Sequence, residues 1–337
     1  MKIGILTSGG DCPGINTTIR AIGKTAILKY NMEIVGINNG FLGLLNKDYQ
    51  PITEKNLSGI IAQGGTILGT SRESPFIKLP TDIYEDKPTL VKYNYQDLGL
   101  DCLICVGGNG TIKNSIKMME MGLNVVSIPK TIDNDVFGTD KTFGFDTAVN
   151  IATDAIDRLH STASAHNRVM VIEVMGRQAG WLALHSGIAG GCDVILLPEM
   201  QFDMERVYDK VLERSHKGKS YSIIVVAEGI DTENTGLRAA EYVAQKIKKE
   251  TGIETRQTVL GYIQRGGSPS PYDRILASQF GSYSVELIAQ RKYNHMVAMQ
   301  NDKITSIPLT EAGGKLRLVD PNNALIEQAK GMGICFG

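Results

Sequence analysis

"KIGILTSGGDCPGIN" (residues 2–16) is a short apolar run that breaks into paired glycines and then a helix-like start. The run lacks polar/apolar alternation, so it reads as a strand buried on both faces, as in parallel sheets. Comparable runs recur as "EIVGINNG" (33–40), "CLICVGG" (102–108), "NVVSIPK" (124–130), "RVMVIEVMG" (168–176), "DVILLPE" (193–199), "YSIIVVAEG" (221–229) and "TVLGYIQRGG" (258–267). Helical spacing lies between them. In 145–161, Ala148, Ala152, Ala155, Ile156 and Leu159 share one face, and "AAEYVAQKIKKE" (239–250) repeats the pattern before Gly252. Alternating strands and helices predict an α/β fold with parallel sheets. A Pro- and acid-rich stretch, 73–90, reads as a loop.

The strand ends carry the chemistry. "SGGDCPG", "GGNGT", "KTIDND", "MGRQAG", "AEG" and "QRGG" each follow an apolar run, and open α/β sheets bind ligands outside their carboxyl ends. Gly9 and Gly10 leave backbone N–H groups open to a phosphate, helped by the helix that follows. "VGGNGTIKNS" (106–115) repeats the arrangement. Neither stretch is GxxxxGK[ST] or GxGxxG, which weighs against a dinucleotide-dependent oxidoreductase. "KTIDND" offers Asp133 and Asp135: one suits a general base, the other Mg²⁺, and a solvated acidic turn is the alternative. Arg72, Arg168, Arg177 and Arg265 sit at these edges, with Arg256 just before a strand. Their guanidinium forks suit phosphates.

Composition narrows the class. Of 337 residues, 42% are apolar and 21% charged, and the net charge is −1. That is an ordinary globular enzyme of about two domains, with no electrostatic case for nucleic acid and no membrane-length apolar run. Five cysteines, an odd and sparse set, point to a reducing, cytoplasmic setting. Cys102 and Cys105 form a CxxC inside a buried strand and read as packing. The five histidines show no metal spacing.

Taken together, "TSGGDCPGIN", "GGTILGTSR", "GGNGT", "PKTIDND", "GFDTAVN", "EVMGRQAGWLAL", "AGGCDVILLPE" and "LGYIQRGGSPSPYDRILAS" make the chain resemble the 6-phosphofructokinase family from residue 2 to about residue 300. The resemblance implies two doubly wound, Rossmann-like domains: a large donor-binding domain of 1–144 with 264–312, and a small sugar-phosphate domain of 145–263 with 313–337. It implies transfer of the γ-phosphate of ATP, with Mg²⁺, to the C1 hydroxyl of fructose 6-phosphate in glycolysis. Asp133 would be the base, Thr131 would lie beside the transferred group, and Asp135 would hold Mg²⁺ with Asn109. Gly10, Phe41, Arg72, Gly108, Asn109, Gly110, Thr111 and Lys130 would line the donor site. Met175, Gly176, Arg177, Glu228, Tyr262 and Arg265 would meet the sugar, and Arg168 and Arg256 would reach it from a neighbouring subunit, so a homodimer or homotetramer is implied.

The chain departs from the family pattern in places. Asn109 stands where members with a nucleotide donor usually show Asp, which keeps alive a non-catalytic sugar-phosphate-binding subunit. Tyr262 stands where many bacterial members have His. Arg20 is kept, but Lys24, Lys55 and His160 replace arginines common in the effector pocket, which implies altered or absent nucleotide regulation. Lys130 is similar to pyrophosphate-dependent members. Those also carry Asp where this chain has Gly110, and Gly110 leaves room for a nucleotide's α-phosphate. The Gly-plus-Lys pair resembles the branch with plant and trypanosome enzymes, which use ATP, with pyrophosphate as the alternative donor.

Overall fold

A computed structural model describes residues 1–78, 80 and 83–337. Leu79, Thr81 and Asp82, inside the expected 73–90 loop, lie outside the described residues. The elements run β1 (Lys2–Thr7), α1 (Ile15–Tyr30), β2 (Glu33–Ile37), α2 (Phe41–Asn46), β3 (Tyr49–Pro51), α3 (Lys87–Asp97), β4 (Cys102–Gly107), α4 (Asn109–Glu120) and β5 (Val125–Pro129). They continue with α5 (Phe145–His166), β6 (Val169–Val174), α6 (Trp181–Ala189), β7 (Val194–Leu196), α7 (Met204–His216), β8 (Ser222–Ala227), α8 (Ala239–Thr251) and β9 (Thr255–Val259). The last are α9 (Pro271–Ala289), β10 (His295–Gln300), β11 (Lys303–Pro308), α10 (Leu309–Ala312) and α11 (Ala324–Gly331).

The chain divides into two compact units. Unit 1 is 1–131, 136–146 and 265–316; unit 2 is 132–135, 147–264 and 317–337. Compactness thus groups 132–135 and 264 with the second unit and 145–146 and 313–316 with the first, where the sequence-based bounds have the reverse. Among the described residues, unit 1 holds a seven-stranded sheet ordered β11-β10-β5-β4-β1-β2-β3, and unit 2 a four-stranded sheet ordered β7-β8-β6-β9. Strands β4, β6 and β8 are buried along their whole length, which is why their sequences are almost wholly apolar; the exceptions are Ser222 in β8 and, in β6, Glu173, which accepts from the Ala240 N–H at 3.0 Å. In unit 1 the strand order reverses between β1 and β4, so the two glycine loops flank a topological switch point.

Two local expectations need correction, and one hairpin was not anticipated. The loop ends before residue 90: Asp86 caps α3 by accepting from the Thr89 N–H at 3.1 Å, and Pro88 sits in its first turn. The run 258–267 is not a strand: β9 covers Thr255–Val259, and Gly261–Arg265 forms a 3₁₀ turn. Its apolar residues misled because Tyr262 and Ile263 face solvent, 73% and 60% exposed. The β10–β11 hairpin went unseen. Asn301 (φ 51°) and Asp302 (φ 59°) make its two-residue turn, and both are residue types that tolerate a left-handed backbone.

The cysteines behave as core. Burial pushes the Cys12 thiol up to about 12, with Lys130 pulling the other way, and burial raises Cys105 to about 12. Burial also raises Cys102 and Cys192. The fold favours the thiol form. That stabilising contribution is complete below the ordinary value of 9.0 and is lost as pH climbs toward 12. Because the thiolate is the nucleophile, iodoacetamide at pH 8 is expected to label Cys335 and spare these four. Peptide mass mapping checks this, and labelling of Cys12 in folded protein would contradict it.

Candidate active site

Unit 1 brings glycine backbone, a helix start and cationic side chains together at the ends of β1, β4 and β5. The Ser8 N–H donates to Val106 O (3.0 Å) and the Gly9 N–H to Ser71 O (2.9 Å), while Thr70 Oγ1 donates to Gly9 O (2.7 Å). The loop after β1 is thereby laced to 70–71, with Arg72 following directly, and the Gly9 N–H, expected to be open to a phosphate, is already bonded. The chain beyond Arg72 is held as well. Glu73 pairs with Lys87 at 2.7 Å, with side chains 20% and 4% exposed, and Ser74 Oγ donates to Asn114 on α4 at 2.8 Å.

Helix α4 begins without a side-chain cap; Gly108 occupies that position. The first N–H groups of a helix have no partner within it, and they carry its positive dipole end. Asn109 is half-buried, whereas Gly110 is exposed. A Cβ added at Gly110 would meet nothing within 4 Å. Packing in the folded chain therefore does not require glycine there. Thr111 is buried, and its hydroxyl turns inward, 3.5 Å from Ser8 O.

Lys130 is only 3% exposed. Its N–H donates to Gly107 O at 2.9 Å, and its ammonium donates to Gly10 O. The Arg265 guanidinium also lies against Gly10, where any side chain would collide with it. Two cations thus bracket one stretch of glycine backbone, an arrangement suited to a polyphosphate. Arg265, expected to contact the sugar, is here placed on the donor loop. Phe41 requires a correction. Its ring is fully buried in the apolar cluster with Leu6, Ile37, Leu44 and Ile112, and presents no face to a nucleotide base.

Unit 2 gathers the acid and its surroundings. Asp133, Asn134 and Asp135 are 5%, 1% and 7% exposed, which overturns the solvated-turn alternative. Asn134 bends the chain with a left-handed φ of 51°. Arg177 Nε stands 3.9 Å from Asp133 Oδ2, with the Arg177 side chain 61% exposed. The loop carrying Arg177 is strapped to Glu228 Oε1, which accepts from the Gly176 N–H (3.2 Å) and the Arg177 N–H (2.8 Å). Gly176 is needed: its φ is 142°, and a Cβ would strike Ala179 O. Met175 is 8% exposed beneath this loop. Tyr262 projects into solvent. Arg168 and Arg256 share one carboxylate, Glu254, at 2.8 and 2.5 Å.

Of the effector-pocket positions, Lys24 pairs with Glu54 at 3.3 Å. His160 is bonded through both ring nitrogens, to Tyr221 Oη (3.2 Å) and Gly190 O (2.7 Å).

One residue drew no attention in the sequence. Arg317 donates from Nη1 to Asn134 O (3.1 Å) and from its backbone N–H to Asp135 O (2.9 Å). Its guanidinium stacks 4.0 Å over Trp181. No local pattern marks an arginine 183 residues from its partner.

Residues 2–288 match the phosphofructokinase family. The chain belongs to that family. A Bacteroides thetaiotaomicron protein called ATP-dependent 6-phosphofructokinase 3 is 61% identical over 337 residues, covering all of both chains. A Spirochaeta thermophila protein called ATP-dependent 6-phosphofructokinase is 49% identical, covering 99% of this chain and 97% of its own. Among solved phosphofructokinases, the Saccharomyces cerevisiae structure matches with a TM-score of 0.82 and 29% identity. It covers 92% of this chain, which spans 45% of the yeast chain. A structure from Nitrosospira multiformis matches over 100% of this chain and 89% of its own, with a TM-score of 0.86 and 21% identity, and so speaks to the phosphofructokinase fold alone. Among the described residues no helix is long and apolar enough to cross a membrane.

Proposed function

We propose that this phosphofructokinase-family chain transfers the γ-phosphoryl group of ATP to the C1 hydroxyl of fructose 6-phosphate, yielding fructose 1,6-bisphosphate and ADP. The observation that carries the reading is Asp133, a carboxylate only 5% exposed, beside a guanidinium that remains mostly exposed. Full-length relatives named for ATP support the donor.

Phosphoryl transfer is mainly positioning and charge neutralisation. Gly10, Arg72, Lys130 and the N–H groups at Gly108–Thr111 hold the donor phosphates, with Thr131 beside the transferred group. Asp133 accepts the hydroxyl proton as the C1 oxygen attacks the γ-phosphorus. Arg177 steadies the charge on the passing phosphoryl group. Met175, Gly176, Glu228 and Tyr262 position the sugar phosphate, and Arg265, whose guanidinium lies against Gly10, serves the donor phosphates as well as the sugar side. Glu228 Oε1 already accepts from its neighbouring loop, which leaves Oε2 for a hydroxyl.

Among the described residues no three His, Cys, Asp or Glu side chains cluster as a metal cage. Mg²⁺ needs none, since it usually binds through one or two carboxylates plus substrate phosphates and water. The buried Asp135 fits as that carboxylate, and Asn109 adds an amide oxygen. When bound, Mg²⁺ would spread the negative charge of the donor phosphates.

The active protein is a homo-oligomer, in which Arg168 and Arg256 serve a neighbouring copy. Val259, Tyr262 and Ile263 of unit 2 support this, being large apolar residues left 37%, 73% and 60% exposed. The test is a coupled assay on purified protein, with its mass measured by sedimentation. ADP is expected only when ATP, Mg²⁺ and fructose 6-phosphate are all present, from a species of at least dimer mass. Turnover with pyrophosphate and none with ATP would reverse the donor; activity from a monomer would remove the shared site.

A further inference from the structure

We infer that Arg317 is a positioning residue for the acceptor site, forming with Trp181 a clamp that holds the Asp133–Asp135 turn against the Arg177 loop. The inference rests on Asp133 acting as the base.

The turn needs such a clamp. Asn134 adopts a left-handed backbone, which asparagine tolerates, so it is the carbonyls of the turn and not its φ that call for partners. The turn is almost wholly buried, so water is poorly placed to satisfy its carbonyls. Arg317 reaches both of them, with Nη1 on Asn134 O at 3.1 Å and the backbone N–H on Asp135 O at 2.9 Å.

Arg317 is itself fixed from the other side. Its guanidinium lies 4.0 Å over the Trp181 ring, and its carbonyl accepts from Trp181 Nε1 at 2.9 Å. Trp181 opens α6, directly after "MGRQAG". A second tie runs in parallel. Glu199 Oε1 accepts from the N–H of Gly180 at 2.8 Å and of Val319 at 2.9 Å, the neighbours of Trp181 and Arg317. The backbone bonds and the Glu199 tie hold whatever the side chain at 317; the guanidinium adds its bond to Asn134 O and its stacking on Trp181, and so fixes the register between the loop bearing Arg177 and the turn bearing Asp133, whose charged atoms are 3.9 Å apart. Displacement of a reacting group by about 1 Å can cost about 10²-fold in rate. Lysine cannot take over, lacking both the planar stacking face and the fork.

The experiment compares Arg317→Met, Arg317→Lys, Asp133→Ser and the Arg317→Met/Asp133→Ser double variant. Arg317→Met is expected to lower kcat by about 10–100-fold, with the KM for ATP within about twofold of wild type. Arg317→Lys is expected to restore less than half of that loss on a logarithmic scale. It also serves as the test if Arg317→Met does not fold. In the double variant, loss of Arg317 is expected to add little to the loss of Asp133, because it acts through that residue. Trp181 is the only tryptophan in the chain, so its emission reports the clamp directly and is expected to change in folded Arg317→Met. Unchanged emission, an unchanged kcat, or fully multiplicative losses in the double variant would overturn the clamp. A wild-type kcat in Asp133→Ser alone would instead overturn the proposed base.

Discussion

Asp133→Ser is expected to lower kcat by about 10²–10⁴-fold, the usual contribution of a positioned general base. The fold should survive. Arg177, 3.9 Å from the carboxylate, has a side chain 61% exposed, so water can solvate its guanidinium once the carboxylate is gone. Serine keeps a small polar group at a site only 5% exposed. The KM values for both substrates should move little, because the phosphates are held by other groups. A loss confined to kcat marks an interaction made in the transition state. Steady-state kinetics with a thermal melt of the same sample decides it: a folded variant with wild-type turnover would remove Asp133 from the chemistry.

The second large effect is on the choice of donor. Gly110→Asp is expected to lower kcat/KM for ATP by about 10²-fold without harming stability. A Cβ at 110 meets nothing within 4 Å, so the fold has no objection to it. The position lies in the first turn of α4, where a carboxylate favours the helix by about 0.3–1 kcal/mol. The loss must therefore come from the ligand. Two like charges 4 Å apart repel by about 4 kcal/mol at an effective dielectric of about 20, and solvent and counter-ions reduce that. Gly110→Ala is the control for size alone and should retain most ATP turnover. Pyrophosphate, with no α-phosphate to be crowded, should lose less than ATP. Unimpaired ATP turnover in Gly110→Asp would show that residue 110 has no part in donor selection.

Much of the fold was legible in the sequence because its cause is local. A strand covered on both faces is apolar at nearly every position, with any buried polar side chain needing a hydrogen-bond partner, so β1, β4, β5, β6 and β8 announced themselves. The same rule failed at 258–267, where apolar side chains face outward from a 3₁₀ turn, and it missed β10–β11, whose pairing rests on a two-residue turn. Phe41 shows the converse limit. An aromatic residue beside a glycine looks the same in a string whether its ring meets a ligand or fills a core.

The residues alone determined the chemistry on offer: glycine backbone and a helix start for phosphate, two carboxylates after one strand, and arginines to neutralise charge. Each of these follows from side-chain type and position along a strand. Only the tertiary structure decided that Asp133 and Asp135 are buried rather than solvated, that the Arg265 guanidinium and the Lys130 ammonium meet the same glycine backbone, and that Arg317 secures the Asn134 turn from 183 residues away. Burial and hydrogen-bond partnership depend on which distant segments pack together, and no local periodicity encodes that.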